Sequence, residues 1–343
     1  MLNLIKELCL LNGVSSGEDT VRDFIRTKVE PYADSVRIDV MGNLIVFKRG
    51  EKSTGNRLMV TAHMDEVGFI VNDVTDDGYL KFAAVGSVDR RVAIGKKVTI
   101  GENGVAGVVG LKAYHLVSAE EEKIIPKLDD MYIDIGAKDR NAAEQLVSLG
   151  DLVAFDSDAV EFGDGMLKAK ALDDRVGCAI MMRLIQEDLP MDCTFVFSAQ
   201  EEVGTRGAFG AAFSVMPEIA LVLECTTAAD LPGTPAHKRV TSPGQGPVLS
   251  FMDSGTVYDR ELFELLRNLA QQYEIPWQTK DYISGGNDAA AIQRTRAGVR
   301  VAVISAPVRY LHTPSGVACI SDITHMRTLA RKFIEAIAAP SNQ

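Results

Sequence analysis

No stretch of this 343-residue chain stays apolar long enough to cross a bilayer. The longest apolar runs, such as Arg300 to Pro307, are strand-sized and well short of the roughly 18 to 20 residues of a spanning helix. The opening residues Met1 to Leu11 read as an amphipathic helix carrying Lys6 and Glu7, with no small-residue cleavage site behind an apolar block, so no export signal is expected. Runs of Lys or Arg are lacking too. With 36 basic against 47 acidic residues the formal charge is -11, which argues against binding nucleic acid or an anionic membrane. Paired cysteines are the third absence. Cys9, Cys178, Cys193, Cys225 and Cys319 are odd in number, scattered, and show no CxxC spacing. They read as small buried apolar residues in a reducing compartment, and the expected location is the cytoplasm.

What the chain does have is material for a sizeable core: 46% of its residues are hydrophobic, and its length suits one large domain or two medium ones. After the opening helix, a second begins at Gly17-Glu18-Asp19 and puts Val21, Phe24, Ile25 and Val29 on one face. Strands are expected at Ser35 to Val40 and Leu44 to Lys48, joined through Met41-Gly42-Asn43, and at Leu58 to Ala62, which ends at His63. From Glu66 to Asp158 the texture changes to short apolar segments punctuated by Gly, Asp and Asn, the pattern of a small β domain or barrel, with one helical stretch near Asn141 to Leu149. Beyond it strands and helices alternate. The expected fold class is therefore α/β, a sheet flanked by helices and interrupted by a β insert: residues 1–65 plus 159–343 form one domain and residues 66–158 the other.

Chemistry-bearing residues gather at the ends of the apolar strands. His63-Met64-Asp65 follows the first, and residues i and i+2 of an extended chain face the same way, so Asp65 can hold the His63 ring while its other nitrogen faces a metal. Asp173-Asp174 stands at the expected start of a helix running to Gln186, where acids cap backbone N–H groups as readily as they bridge cations. Glu201-Glu202 follows the strand Phe195 to Ser198, and the strand Ile219 to Leu223 ends at Glu224. His312 comes a short remove after Val301 to Ile304. The carboxyl ends of buried strands line the ligand crevice of α/β proteins. Two histidines with several carboxylates suit zinc, cobalt or manganese, and two neighbouring ions would share one carboxylate. His115, His237 and His325 lack acids at ligand-like spacing. Ser284, Gly285, Gly286, Asn287 and Asp288 form a glycine-rich turn before a helix that lacks the GK[ST] ending of a phosphate loop and is better read as shaping a substrate pocket.

The ordered set Thr61-Ala62-His63-Met64-Asp65-Glu66-Val67-Gly68, Ala171-Leu172-Asp173-Asp174-Arg175, Gln200-Glu201-Glu202-Val203-Gly204 and Arg309-Tyr310-Leu311-His312 resembles the self-compartmentalising tetrahedral aminopeptidases, a family that includes proteins labelled glutamyl aminopeptidase and cellulase M or endoglucanase. The resemblance covers essentially the whole chain. It implies a mixed sheet flanked by helices, of the phosphorylase/hydrolase-like, zinc-peptidase type, with the β insert serving dimerisation and dimers assembling into a dodecamer. It further implies that His63 and Glu224 bind one metal, Glu202 and His312 the other, and Asp173 both. Glu201 is then the general base, Asp65 orients His63, and the bond after Asp173 is cis. The implied activity is removal of amino-terminal residues from short peptides with two divalent ions per subunit.

The family's usual residue at 224 is aspartate, and here it is Glu224; Asn287 stands where the family often has threonine. Glutamate at this ligand in more distant relatives goes with carboxypeptidase or amide-hydrolase chemistry, so hydrolysis of another amide stays open. A non-catalytic assembly protein of the same fold is the remaining alternative.

Overall fold

The structure, a computed structural model, describes residues 1–339. Among the described residues sixteen strands run in chain order: β1 Ser35–Ile38, β2 Leu44–Lys48, β3 Leu58–His63, β4 Gly68–Val74, β5 Leu80–Val85, β6 Lys97–Ile100, β7 Val105–Gly110, β8 Tyr132–Asp134, β9 Leu152–Phe155, β10 Val160–Phe162, β11 Met166–Ala169, β12 Cys193–Ser198, β13 Ile219–Thr227, β14 Val248–Leu249, β15 Arg300–Arg309 and β16 Gly316–Cys319. Ten form one mixed sheet, ordered β1-β2-β12-β3-β13-β15-β16-β11-β10, with β14 pairing β15 off that path. The other six close a barrel, β4-β5-β8-β7-β6-β9.

The centre of the large sheet is parallel, from β12 through β3 and β13 to β15, and its flanks are antiparallel. Parallel strands need cover on both faces, and these are correspondingly buried along nearly their whole length and mostly apolar. On one face, the helices Leu2–Leu10, Leu172–Ile185 and Ile320–Ala338 pack against Val60, Phe195, Phe197, Leu221 and Leu223. On the other, the helix Arg206–Val215 covers Met59, Val196, Ala220 and Val222. Gly42, at φ +90, makes the β1–β2 turn that a side chain would resist.

The barrel interrupts the chain between β3 and β10 and has a core of its own. Phe69 stands at its centre, edge-on to Phe82 at 4.8 Å and to Phe155 at 5.3 Å. Such pairs add about 0.5–1.5 kcal/mol each beyond their burial.

The expected sheet, flanking helices and barrel are all present, with four local corrections. Strands β5, β10, β11, β14 and β16 were not anticipated, because exposed positions break the apolar run in β5 and β10 and the others are no more than four residues long. The helical stretch near Asn141 to Leu149 is only the short helix Arg140–Glu144. Glu224 does not follow its strand but sits within β13, which continues to Thr227 alongside β15. Asp173 and Asp174, expected at the start of a helix, have non-helical backbone angles, so the regular helix begins after them; the peptide between them is cis, as the resemblance implies.

Candidate active site

Strand register brings the first members of the site together. Ser198 of β12 pairs with His63 of β3, and Val222 of β13 pairs with Thr61. Two residues further along each parallel strand, on the same face, Glu224 stands level with His63. Asp173 enters from the irregular turn ahead of its helix, Glu201 and Glu202 from the turn after β12, and His312 from the segment just past β15. The site thus lies at the carboxyl edge of the parallel strands, where the crevice of an open α/β sheet forms.

Asp173 is the centre of the arrangement. Its Oδ1 lies 3.4 Å from His63 Nε2, which is itself 3.4 Å from Glu224 Oε1. Its Oδ2 lies 3.4 Å from His312 Nε2, which is 3.2 Å from Glu202 Oε1. Two sets of donors therefore share one carboxylate, and donor atoms of His63, Asp173 and Glu202 also fall within 4.8 Å of one another. A tetrahedral zinc with bonds of about 2.0–2.1 Å keeps its donors about 3.3 Å apart, so these spacings fit such ions.

The charge balance points the same way. Asp173, Glu202, Glu224 and neighbouring Glu201 face two imidazoles, and among the described residues no Lys or Arg forms a salt bridge with them. The Oδ1 of Asp173 is buried with no hydrogen-bond partner. Burial raises the carboxyls of Glu201, Glu202 and Glu224 above their ordinary range, and neighbouring acids push each further. Burial works against charge on both histidines, but the surrounding carboxylates outweigh it, holding His63 well above the usual imidazole range and His312 up at about 11. Asp173 moves the other way: despite burial, the His312 and His63 rings hold it below the usual range. A buried excess of carboxylate of this kind is what divalent cations neutralise.

Both rings are oriented by main-chain carbonyls. His63 Nδ1 is 3.0 Å from the backbone oxygen of Asp65, with the Asp65 carboxylate at 3.4 Å. His312 Nδ1 is 3.1 Å from the backbone oxygen of Ser87. A carbonyl only accepts, so each Nδ1 carries a proton, and each Nε2 faces the cluster as the atom that would hold a cation on giving up its own proton. Asp65 has further duties, accepting the N–H groups of Glu201 and Glu202 at 2.9 and 3.1 Å.

The adjacent acids at 173 and 174 divide the two roles that the sequence left open. Asp174 Oδ1 accepts the N–H of Gly177 at 2.9 Å and caps the helix, while Asp173 faces the cluster.

A cavity of about 750 Å³ opens over Asp173, Glu201, Glu202, Glu224 and His312, and Ser284, Gly285, Gly286 and Asn287 line its far side. Asp288 does not join them. It is buried behind the loop, bonded to Ser198 at 2.5 Å, and burial lifts its carboxyl to about 6. His115, His237 and His325 are elsewhere, the first two on exposed turns and the third on the last helix. Sequence reasoning missed Asp89 and Arg91, which the barrel contributes to the cavity, and Lys280 on its wall. Nothing local marks them: Asp89 caps and Arg91 lies within the short helix Arg90–Ala93, which reaches the site only through the fold of the barrel, and Lys280 sits on an irregular loop far along the chain.

Comparison with known proteins agrees over the whole chain. An Acetivibrio thermocellus protein, named provisionally as an aminopeptidase, is 39% identical over 339 residues, covering 98% of each chain. The structure of a TET aminopeptidase from a marine-sediment Thaumarchaeota archaeon is similar at a TM-score of 0.92 and 33% identity, covering 97% of this chain and 98% of that one. A Pyrococcus horikoshii peptidase, described as able to assemble into a tetrahedron or a large octahedral shell, is similar at a TM-score of 0.86 and 30% identity, covering 96% of this chain and 97% of its own. Residues 42–329 match the family described as M42 glutamyl aminopeptidase. The chain belongs to that family and is a peptide hydrolase.

Proposed function

We propose that the protein is a dinuclear metal-dependent aminopeptidase, with His63 and Glu224 holding one ion, Glu202 and His312 the other, and Asp173 both. The observation that carries this reading is the placement of the two Asp173 oxygens, one toward each set of donors. The imidazole and carboxylate donors suit zinc, cobalt or manganese. Held by these residues, such cations would supply Lewis acidity toward a peptide carbonyl and toward water.

The chain itself supplies the proton traffic. Glu201 lines the cavity beside the donors without belonging to either set, and burial raises the proton affinity of its carboxyl. A carboxylate so placed takes a proton from water as that water attacks the carbonyl, and returns it to the departing amine. The peptide C–N bond breaks, one product gains the hydroxyl, and the proton leaves with the amine. Asp65 fixes the backbone of Glu201 and Glu202, and the cavity holds the residue being removed.

Incubating the metal-loaded protein with matched peptides bearing free and blocked amino termini, followed by mass spectrometry, tests the reading. Stepwise shortening of the free peptides alone is expected. Cleavage of blocked peptides, or shortening from the carboxyl end, would assign the site to another amide.

Assembly into a closed homo-oligomer of dimers, a dodecamer, is part of the proposal, supported by the shell-forming Pyrococcus horikoshii relative and by apolar side chains exposed on and around the barrel, among them Val108, Tyr114, Leu116 and Ile124. Light scattering on the purified protein checks it. The five buried free thiols support a cytoplasmic setting.

A further inference from the structure

The turn from Gly13 to Glu18 belongs to none of the segments that carry the donors, yet it reaches two of them. Glu18 occupies the N-cap position of the helix Asp19–Val29 but makes no side-chain cap bond there. Instead its Oε1 accepts the N–H of Gln200 at 3.0 Å, 182 residues away, together with the N–H of Ser16 at 2.9 Å. Ser15, also buried, donates its hydroxyl to Asp65 Oδ2 at 2.5 Å.

Three successive N–H groups after β12 are thus held by carboxylates: Gln200 by Glu18, and Glu201 and Glu202 by Asp65. Gln200 has a left-handed backbone, φ +58, which turns the chain sharply after the strand. A left-handed glutamine is an unfavourable conformer that surrounding contacts must maintain. Glu18 is buried and forms no salt bridge with a Lys or Arg among the described residues, so its desolvation is offset by these backbone donors.

We propose that Ser15 and Glu18 are positioning residues of the active site: by anchoring Asp65 and the Gln200 N–H from the amino-terminal turn, they set the backbone from which Glu201 and Glu202 project. The assignment rests on the roles proposed above for those two glutamates. Its consequence is that losing either anchor loosens metal binding and slows turnover, while leaving the affinity for peptide nearly as it was.

The test uses the full chain as wild type, Ser15→Ala, Glu18→Ala and Glu18→Gln. Zinc affinity is measured by competition with a chromogenic chelator, kcat and KM on a free-amine peptide, and unfolding temperature on the chelator-stripped protein. Ser15→Ala and Glu18→Ala are expected to lose about 10–100-fold in zinc affinity or kcat, the usual effect of removing a group that orients a ligand, with KM little changed. Glu18→Gln keeps an oxygen that can accept both N–H groups and is expected to recover most of the loss. Should Glu18→Ala fail to fold, Ser15→Ala, which removes a single hydroxyl, carries the same expectation. Folded variants with wild-type zinc affinity and kcat overturn the proposal, even if their unfolding temperature falls, and so does a Glu18→Gln as impaired as Glu18→Ala. A wild-type protein that neither binds zinc nor cleaves peptides is a separate result, which removes the reading of the site and this inference with it.

Discussion

The carboxylate of Asp65 accepts the main-chain N–H of Glu201 at 2.9 Å, so the proposed proton carrier is held through its backbone rather than its side chain. Substituting the side chain should therefore leave the turn intact. Glu201→Gln is expected to keep its metal and lose at least ~100-fold in kcat, the lower end of general-base effects. Elemental analysis and steady-state kinetics on the same sample check both halves, and near-normal turnover would rule Glu201 out. Glu202→Gln replaces a donor 3.2 Å from His312 Nε2 and should lose metal instead.

A contrast is expected between the two adjacent aspartates. Burial, with Glu224 and Asp173 nearby, raises the Asp174 carboxyl well above its ordinary range, and its Oδ2 has no hydrogen-bond partner. Asn can fill this position as a neutral isostere and still accept the Gly177 N–H, so Asp174→Asn should keep its metal and stay within about 1 kcal/mol of wild-type stability. Asp173→Asn should lose metal. Equal metal content in the two variants would contradict the bridging role.

Close packing beneath the same turn gives a steric prediction. A Cβ added at Gly177 would lie 2.4 Å from Asp174 Oδ2 and 2.9 Å from the Cβ of Ala62, on the strand that leads to His63. Gly177→Ala is expected to cost about 1–3 kcal/mol, as overpacking generally does, and to lower metal occupancy as Asp174 is displaced. Thermal unfolding and metal analysis read the two effects separately.

Removing metal should make stability fall with rising pH. In the metal-free protein His63, His312, Glu201, Glu202 and Glu224 all hold their protons more tightly than an unfolded chain does. Their contribution is fully present below the unfolded values, about 4.3 for Glu and 6.5 for His, and is lost as pH rises through the higher folded values. Asp65 and Asp173 are held low and act with the opposite sign: their contribution is present above about 3.9 and lost in acid. The unfolding temperature of chelator-treated protein is thus expected to drop as pH rises from about 6.5 toward about 11. Added zinc should raise it more at the upper end, because binding displaces protons. A zinc effect independent of pH would argue against binding at this cluster.

Much of this was legible along the chain because it is encoded locally. Wholly apolar runs of five or six residues, such as Leu58 to Ala62 and Phe195 to Ser198, can only be buried strands or core helix turns, and glycine and β-branched residues around them settle the choice. Charged residues directly after such runs are costly unless they serve a purpose, so His63, Glu201, Glu202 and Glu224 stood out before any fold was known. Strand β5 and the cavity residues Asp89, Arg91 and Lys280 did not stand out, since half-exposed segments carry no such contrast.

Taken by itself, the amino-acid order determined the class of fold, a sheet flanked by helices with a β barrel, and singled out acids and histidines after the apolar strands as candidates for the crevice, because burial periodicity and residue chemistry are properties of neighbouring residues. Only the tertiary structure decided which of two adjacent aspartates faces the cluster and which caps a helix, that Ser87 from the barrel orients His312, and that Glu18 serves a turn 182 residues away rather than its own helix. Those assignments depend on where a hydrogen-bond partner from a distant part of the chain comes to rest, and no local pattern carries that information.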